Sequence, residues 1–116
     1  MVIHRLLPIC LVLVSIPVAL ADLAEEIGRR GPGYLMTSSG DQRPHVMNLR
    51  FEVDGVELRA EVGRTAARNI DTRPEVTLLW APIDEGGYSL IVNGVGHLEG
   101  DDAVVVAQDA VLHRPA

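Results

Sequence analysis

The chain has 116 residues, 47% of them hydrophobic but only 3% aromatic, so it can form one small domain with an aliphatic core. All ten basic residues are arginines, and the formal net charge of -6 excludes a general attraction to nucleic acid or anionic lipid. The single cysteine, Cys10, cannot form an internal disulfide and lacks the neighbours of a zinc site. Burial in a partner subunit would help so small a core, and a local arginine cluster could still bind an anion.

The first 21 residues form an apolar segment before the predicted domain at residues 22–116. Ala19-Leu20-Ala21 resembles the cleavage site of a secretory signal, which would make the protein an exported one. Alternatively, residues 1–13 are an upstream extension, and Val14 is the true start of a cytosolic chain. The apolar run is shorter than the roughly 20 residues that span a bilayer as a helix, so no stable membrane span is expected. We favour the extension and a cytoplasmic location.

The first predicted elements are a short helix and a strand pair. The helix begins at Asp22 and buries Leu23 and Ile27, which lie four residues apart on one face. The apolar strand 34–39 follows, and the turn sequence GDQRP joins it to a second strand at 45–53. Alternate residues of that second strand are predicted to face the core, namely Met47, Leu49, Phe51 and Val53.

Asp54-Gly55 predicts a type I′ hairpin turn into a third strand. With these two residues as the loop, Glu52 lies opposite Glu57, and Arg50 lies opposite Arg59. Like charges opposite one another are unfavourable. Two interpretations stay open: a solvated ladder relieved by diagonal pairs, or two arginines held together by an anion.

The second half of the chain continues with a helix and three more strands. Residues 64–71 have the pattern of a two-turn helix, which Pro74 ends because the residue before a proline avoids the helical region. The third strand, before this helix, is predicted at 56–62. The three strands after the helix are predicted at 75–80, 88–100 and 103–113. Six antiparallel strands with two short helices predict a small, mainly β barrel, which removes exposed sheet edges.

Three familiar chemical motifs find no support. GVGHLEG at 94–100 lacks the third glycine of the dinucleotide fingerprint and precedes no helix, so Gly94 and Gly96 are assigned to a bulge or bend. The four histidines lack metal-ligand spacing, and no metal site is expected. Ser38 and Ser39 lie outside any GxSxG elbow, which leaves a hydrolase triad without support.

The junction between the third strand and the second helix is the strongest candidate site. The strand leads to Gly63 and a helix N-terminus, where free N–H groups and the helix dipole favour an anion. Arg64 and Arg68 lie one turn apart beside it. These arginines either bind an anion or solvate a short helix, and their spacing alone leaves both interpretations open.

From Tyr34 to His113 the order of motifs resembles the pyridoxamine 5′-phosphate oxidase-like proteins, the FMN-binding split β-barrels. YLMTSSGDQRPHVMNLRFEVDG resembles the opening strand pair of that family, with its Gly-x-x-Arg-Pro turn. RNIDTRPEVTLLW resembles the helix followed by Arg-Pro-x-Val-x-Leu, and YSLIVNGVGHLEG resembles the next strand. AVLHRPA resembles the ending of short actinobacterial members.

The resemblance implies a Greek-key split barrel of six antiparallel strands, which forms a homodimer with two FMN sites at the subunit interface. In that family the FMN phosphate is held by a basic residue on the second strand, the end of the third strand and the start of the following helix. The matching or supporting positions here are Arg50, Ala60, Glu61, Arg64, Thr65 and Arg68. Three departures stand out: Ala66 replaces a frequent lysine, Arg64-Thr65 replaces a Ser-Arg pair, and Ala60-Glu61 replaces a Thr-Asn pair. The last of these puts a carboxylate near the expected phosphate.

We therefore expect a cytosolic dimer that binds FMN, or the deazaflavin coenzyme F-420, and transfers hydride to an organic substrate of unidentified structure. The long C-terminal part that binds pyridoxal phosphate in true oxidases has no counterpart here, so pyridoxamine phosphate oxidation itself is not expected. No residue stands out as a catalytic acid or base. The alternative is a cofactor-free dimer that keeps the barrel in a binding or structural role, which Glu61 and Ala66 favour.

Overall fold

The computed structural model describes residues 14–115, which form one antiparallel sheet, two α-helices and a 3₁₀ turn. The strands are β1 (Ser15–Pro17), β2 (Gly33–Ser38), β3 (Pro44–Leu49), β4 (Glu52–Asp54), β5 (Glu57–Glu61), β6 (Glu75–Trp80), β7 (Ser89–Glu99) and β8 (Asp102–His113). The helices are α1 (Leu23–Gly28) and α2 (Arg64–Thr72), and the 3₁₀ turn is Leu20–Asp22. The mainly β, antiparallel class with two short helices is confirmed, with eight strands in place of six.

The sheet curls because the segment predicted as one strand at 45–53 contributes a strand to each of the two edges of the sheet. The strand order is β3-β2-β6-β7-β8-β5-β4, with β1 paired to β8. β3 and β4 lie at opposite ends of this order, although only Arg50 and Phe51 separate them in the chain. The strand predicted at 45–53 is thus two strands, because its first part pairs with β2 and its second part with β5. The step at Arg50 and Phe51 brings the two edges together into a barrel.

The additional strand β1 lies in the segment that the sequence separates from the domain. The Val18 N–H donates to the Ala110 carbonyl at 2.9 Å, which continues the pairing of β1 with β8. Val18 and Leu20 are partly buried against the core. The described end of this segment therefore packs on the barrel, while the predictions for residues 1–13 lie outside the described residues.

The β4–β5 hairpin has a different register from the predicted one. Its turn residues are Gly55 and Val56, because Asp54 pairs with Glu57. A type I′ turn at Asp54-Gly55 needs a positive φ at both residues, but only Gly55 has one, at 62°. Glu52 consequently lies opposite Arg59 rather than Glu57, so the predicted like-charge pairs are wrong. Each residue faces a partner two positions further along than predicted. Because side chains alternate between the two faces of a strand, the same residues still face the core as predicted.

The glycines of GVGHLEG allow a bulge, as the sequence predicts. The register of β7 and β8 shifts between Asn93, which lies opposite Asp109, and Gly94, which lies opposite Ala107. A Cβ on Gly94 would lie 2.7 Å from the Val106 carbonyl oxygen, so no larger residue fits the close approach of the two strands.

Both helices contribute to one aliphatic core inside the barrel. Leu23 and Ile27 of α1 and Ile70 of α2 are buried in it. Trp80 is fully buried, and the centroid of its ring lies 5.7 Å from that of Phe51. Its indole N–H donates a hydrogen bond of 3.0 Å to the backbone carbonyl of Gly31. Its polar atom is therefore satisfied, as burial of an indole requires.

Candidate functional site

The junction of β5 and α2 presents a helix N-terminus, where the first backbone N–H groups have no partner within the helix. Gly63 is the N-cap residue of α2, with an extended backbone (φ -79°, ψ 177°) and no side-chain capping hydrogen bond. The first helical hydrogen bond runs from the Ala67 N–H to the Gly63 carbonyl at 3.0 Å. The first turn holds no acidic residue, so its free N–H groups face no carboxylate of their own helix.

Three side chains of α2 are available beside these N–H groups. Arg64, Thr65 and Arg68 are exposed, and none of them makes a side-chain hydrogen bond or an ion pair with another described residue. Two guanidinium groups and a hydroxyl are suitable donors for a phosphate. The structure thus brings three of the six predicted site residues together at one helix end.

Ala66 has a different environment from the three side chains around it. It is fully buried, on the side of α2 that faces the barrel. A lysine at this position would place its side chain toward the core rather than toward the helix end. Position 66 therefore does not correspond simply to the lysine that is frequent in the family that the sequence resembles.

The end of β5 supplies the other two predicted residues of the junction. Ala60 is buried and pairs with Ala103, so only its backbone can contribute to a site. Glu61 is exposed, lies opposite Asp102 in the ladder, and has no ion-pair partner among residues 14–115. An uncompensated carboxylate three residues before the helix opposes anion binding at this junction.

Arg59 does not neutralise the charge of Glu61, because its guanidinium is already paired with two other carboxylates on the outer face. Its guanidinium lies 2.5 Å from Glu99 and 3.2 Å from Asp102. The hydrogen bond from Arg59, followed by that from His97, lowers the pKa of Glu99 below its ordinary range. Among residues 14–115 no cluster of three or more His, Cys, Asp and Glu side chains could hold a metal ion.

Arg50 lines a cavity that the residues of the junction do not line. It is exposed and follows β3, and its Nη1 atom lies 4.0 Å from the position that a Cβ on Gly31 would take. It lines a cavity of about 280 Å³ together with Ala24, Ile27, Gly28, Gly31, Phe51 and Val53. None of the other five predicted site residues lines this cavity.

A buried hydrogen bond that the sequence did not predict holds α2 in place. Asn69 lies on the inner side of α2 and donates from Nδ2 to Oγ1 of Thr37 on β2 at 3.0 Å. The polar Asn69 between Ala66 and Ile70, which share the inner side, was the available signal, because a buried amide needs a partner.

The chain is similar to two mycobacterial proteins of uncharacterized function, one from Mycobacterium bovis and one from Mycobacterium tuberculosis. Each is 37% identical over 100 residues, which cover 72% of this chain and 70% of the relative. A Listeria innocua structure assigned as a pyridoxamine 5′-phosphate oxidase superposes with a TM-score of 0.59 and 19% identity, over 78% of this chain and 94% of that one. The chain belongs to one family with the two mycobacterial proteins, and it has the split β-barrel fold of structures assigned as pyridoxamine 5′-phosphate oxidases.

Two further structures with this fold have names that mention a cofactor. The split barrel superposes on an F420 reductase with a TM-score of 0.58 and 23% identity, over 73% of this chain and 91% of that one. It superposes on an FAD-binding protein from Mesorhizobium loti with a TM-score of 0.68 and 12% identity, over 88% and 98% of the two chains. No family model matches the sequence. Neither helix in the described part of the split barrel is long and apolar enough to cross a membrane.

Proposed function

We propose that this split-barrel protein binds FMN, or the deazaflavin F-420, and acts as an oxidoreductase on a small organic substrate. The observation that carries the proposal is the N-terminus of α2, which no side chain of the described residues caps, with Arg64 and Arg68 beside it, which form no ion pair within residues 14–115. Such a helix end, with free N–H groups and two guanidinium groups, is suited to a phosphate.

The N–H groups and side chains at the start of α2 are better suited to the phosphate of a flavin nucleotide than to any other part of it. The N–H groups of the first turn of α2, the hydroxyl of Thr65 and the guanidinium of Arg64 would hold the phosphate, and Arg68, one turn further on, would add positive charge. When bound, the ring system supplies the hydride-transfer chemistry, and the chain contributes binding and orientation. The F420 reductase and the FAD-binding protein among the structures with this fold support a cofactor of this class.

A second candidate function is a cofactor-free barrel with a binding role. Glu61 favours it, because its carboxylate is exposed near the α2 N-terminus and Arg59 is engaged with Glu99 and Asp102. Repulsion between this carboxylate and a dianionic phosphate would weaken binding unless Arg64 or Arg68 offsets it.

We also propose that the protein is a homodimer that uses the outer face of its sheet. Four apolar residues lie side by side across neighbouring strands there, namely Tyr34, Leu79, Ile91 and Val111. Tyr34 is 39% exposed and the other three are half-buried, which leaves a row of apolar surface uncovered in the single chain. A second copy would bury this row.

The proposed function is tested by titrating the chain with FMN and with F-420 and following fluorescence and absorbance. We expect saturable binding of one of the two, one molecule per subunit, and Arg64→Ala to weaken it about tenfold or more. Glu61→Gln should strengthen it. Binding of neither cofactor by the wild type and by Glu61→Gln would support the cofactor-free barrel instead.

A further inference from the structure

The cavity beside α1 is lined by one charged side chain, by hydrocarbon side chains and by glycine backbone of the described residues. It lies between the end of α1 and the step from β3 to β4, and its volume is about 280 Å³. Ile27, Phe51 and Val53 supply hydrocarbon surface, while Gly28 and Gly31 supply backbone. Arg50 is the single ionisable residue that the described part of the chain contributes to this lining. A cavity of this size, near the lower end of the range for ligand pockets, suits a small organic molecule.

Arg50 has no ionic partner that would occupy its guanidinium. No salt bridge among residues 14–115 includes it, and Glu26 of α1 forms ion pairs with Arg30 at 2.8 Å and with Arg29 at 3.5 Å. The Nη1 atom of Arg50 lies 4.0 Å from the position that a Cβ on Gly31 would take, and both residues line the cavity. An arginine fork in this position can donate two parallel hydrogen bonds to a planar anion.

We propose that this cavity binds a small organic carboxylate whose apolar body packs on Ile27, Phe51 and Val53 and whose carboxylate is bonded by Arg50. A carboxylate matches the site better than a phosphate, because one arginine supplies a single positive charge and the walls supply no other charged donor. None of the α2 residues that would hold a cofactor phosphate lines this cavity.

The proposal is tested with benzoate as the probe and benzamide as its neutral counterpart, by following the backbone amide signals of the full chain in NMR titrations. We expect benzoate to shift the amide signals of Gly28, Gly31 and Phe51, and benzamide to bind more weakly. Arg50→Gln should raise the Kd for benzoate about tenfold or more, because a charge-assisted hydrogen bond is lost. Arg43→Gln, which removes an exposed arginine of the turn before β3, should change that Kd less than about twofold.

Gly28→Leu provides a second variant that keeps Arg50 intact. A Cβ on Gly28 meets no other atom within 4 Å, so the new side chain is accommodated on α1 and fills part of the cavity. We expect the benzoate-induced shifts to disappear in a folded Gly28→Leu chain. The proposal is overturned if benzoate leaves the three amide signals unmoved in the wild type, or if Arg50→Gln binds benzoate as well as the wild type does.

Discussion

The Nδ2 atom of Asn69 donates a hydrogen bond of 3.0 Å to Oγ1 of Thr37, and both residues are buried. This bond links α2 to β2, two elements that are distant in sequence and adjacent in the barrel. Ile70, the next residue of α2, lies in the core and would be 3.2 Å from a Cβ on Gly96. The helix that carries Arg64 and Arg68 is therefore fixed by a buried polar contact and by close packing.

Thr37→Val should destabilise the fold, because it leaves the buried Asn69 amide without its acceptor. We expect a loss of about 1–3 kcal/mol in the free energy of unfolding, measured by urea denaturation. Thr77→Val, which removes an exposed hydroxyl bonded to Asn93, should cost less. The double variant Thr37→Val/Asn69→Leu should lose less than the sum of its single changes, and strict additivity would contradict the coupling of the two side chains.

The Arg59–Glu99 ion pair should make stability depend on pH in the acid range. The hydrogen bond from Arg59 lowers the pKa of Glu99 in the folded chain, so the pair stabilises the fold above the ordinary pKa of a glutamate. That contribution is lost as the pH falls through the lower folded pKa. We expect Glu99→Gln to reduce the fall in Tm between pH 6 and about pH 3, whereas Glu85→Gln in the exposed 81–86 loop should leave it unchanged.

Removal of residues 14–21 should weaken the barrel. A chain that begins at Asp22 lacks β1 together with Val18 and Leu20, which pack against the core. Loss of this apolar contact predicts a free energy of unfolding lower by about 2 kcal/mol than that of a chain beginning at Val14. Equal stability of the two chains in urea denaturation would show that the fold does not need β1. That result would agree with a domain that starts at residue 22 and with signal cleavage after Ala21.

Ile91→Arg should separate the proposed dimer. Ile91 lies between Leu79 and Val111 in the apolar row of the outer face, and a buried guanidinium without a partner would oppose association. Sedimentation equilibrium should give a dimer for the wild type and for Arg64→Gln, and a monomer for Ile91→Arg. A wild-type monomer at high protein concentration would rule out this interface.

The local patterns of the sequence predicted most elements, and the errors have physical causes. Strand 75–80 coincides with β6, and Pro74 lies just beyond the end of α2, because alternation and a proline are local signals. The hairpin register depended on which residue takes a positive φ, which the Asp54-Gly55 dipeptide alone does not decide. The break at Arg50 arises from pairing with two different strands, which is a property of the whole sheet.

The candidate site was predictable where it depends on one continuous stretch. Gly63, Arg64 and Arg68 follow a strand directly, so their place at a helix start could be deduced from spacing. The bond between Asn69 and Thr37 joins residues 32 positions apart, and no short motif reports such a contact. The cavity beside Arg50 likewise depends on α1 and β4 meeting in space.

The most direct test of the central claim compares FMN with riboflavin, which has the same ring system and no phosphate. If the N-terminus of α2 holds the phosphate, isothermal titration should show FMN binding about tenfold or more tightly than riboflavin, and Arg64→Ala should abolish most of that difference. A parallel comparison of F-420 with its phosphate-free fragment covers the deazaflavin. Equal affinity for the phosphorylated and unphosphorylated forms in both pairs would contradict a phosphate site at this junction.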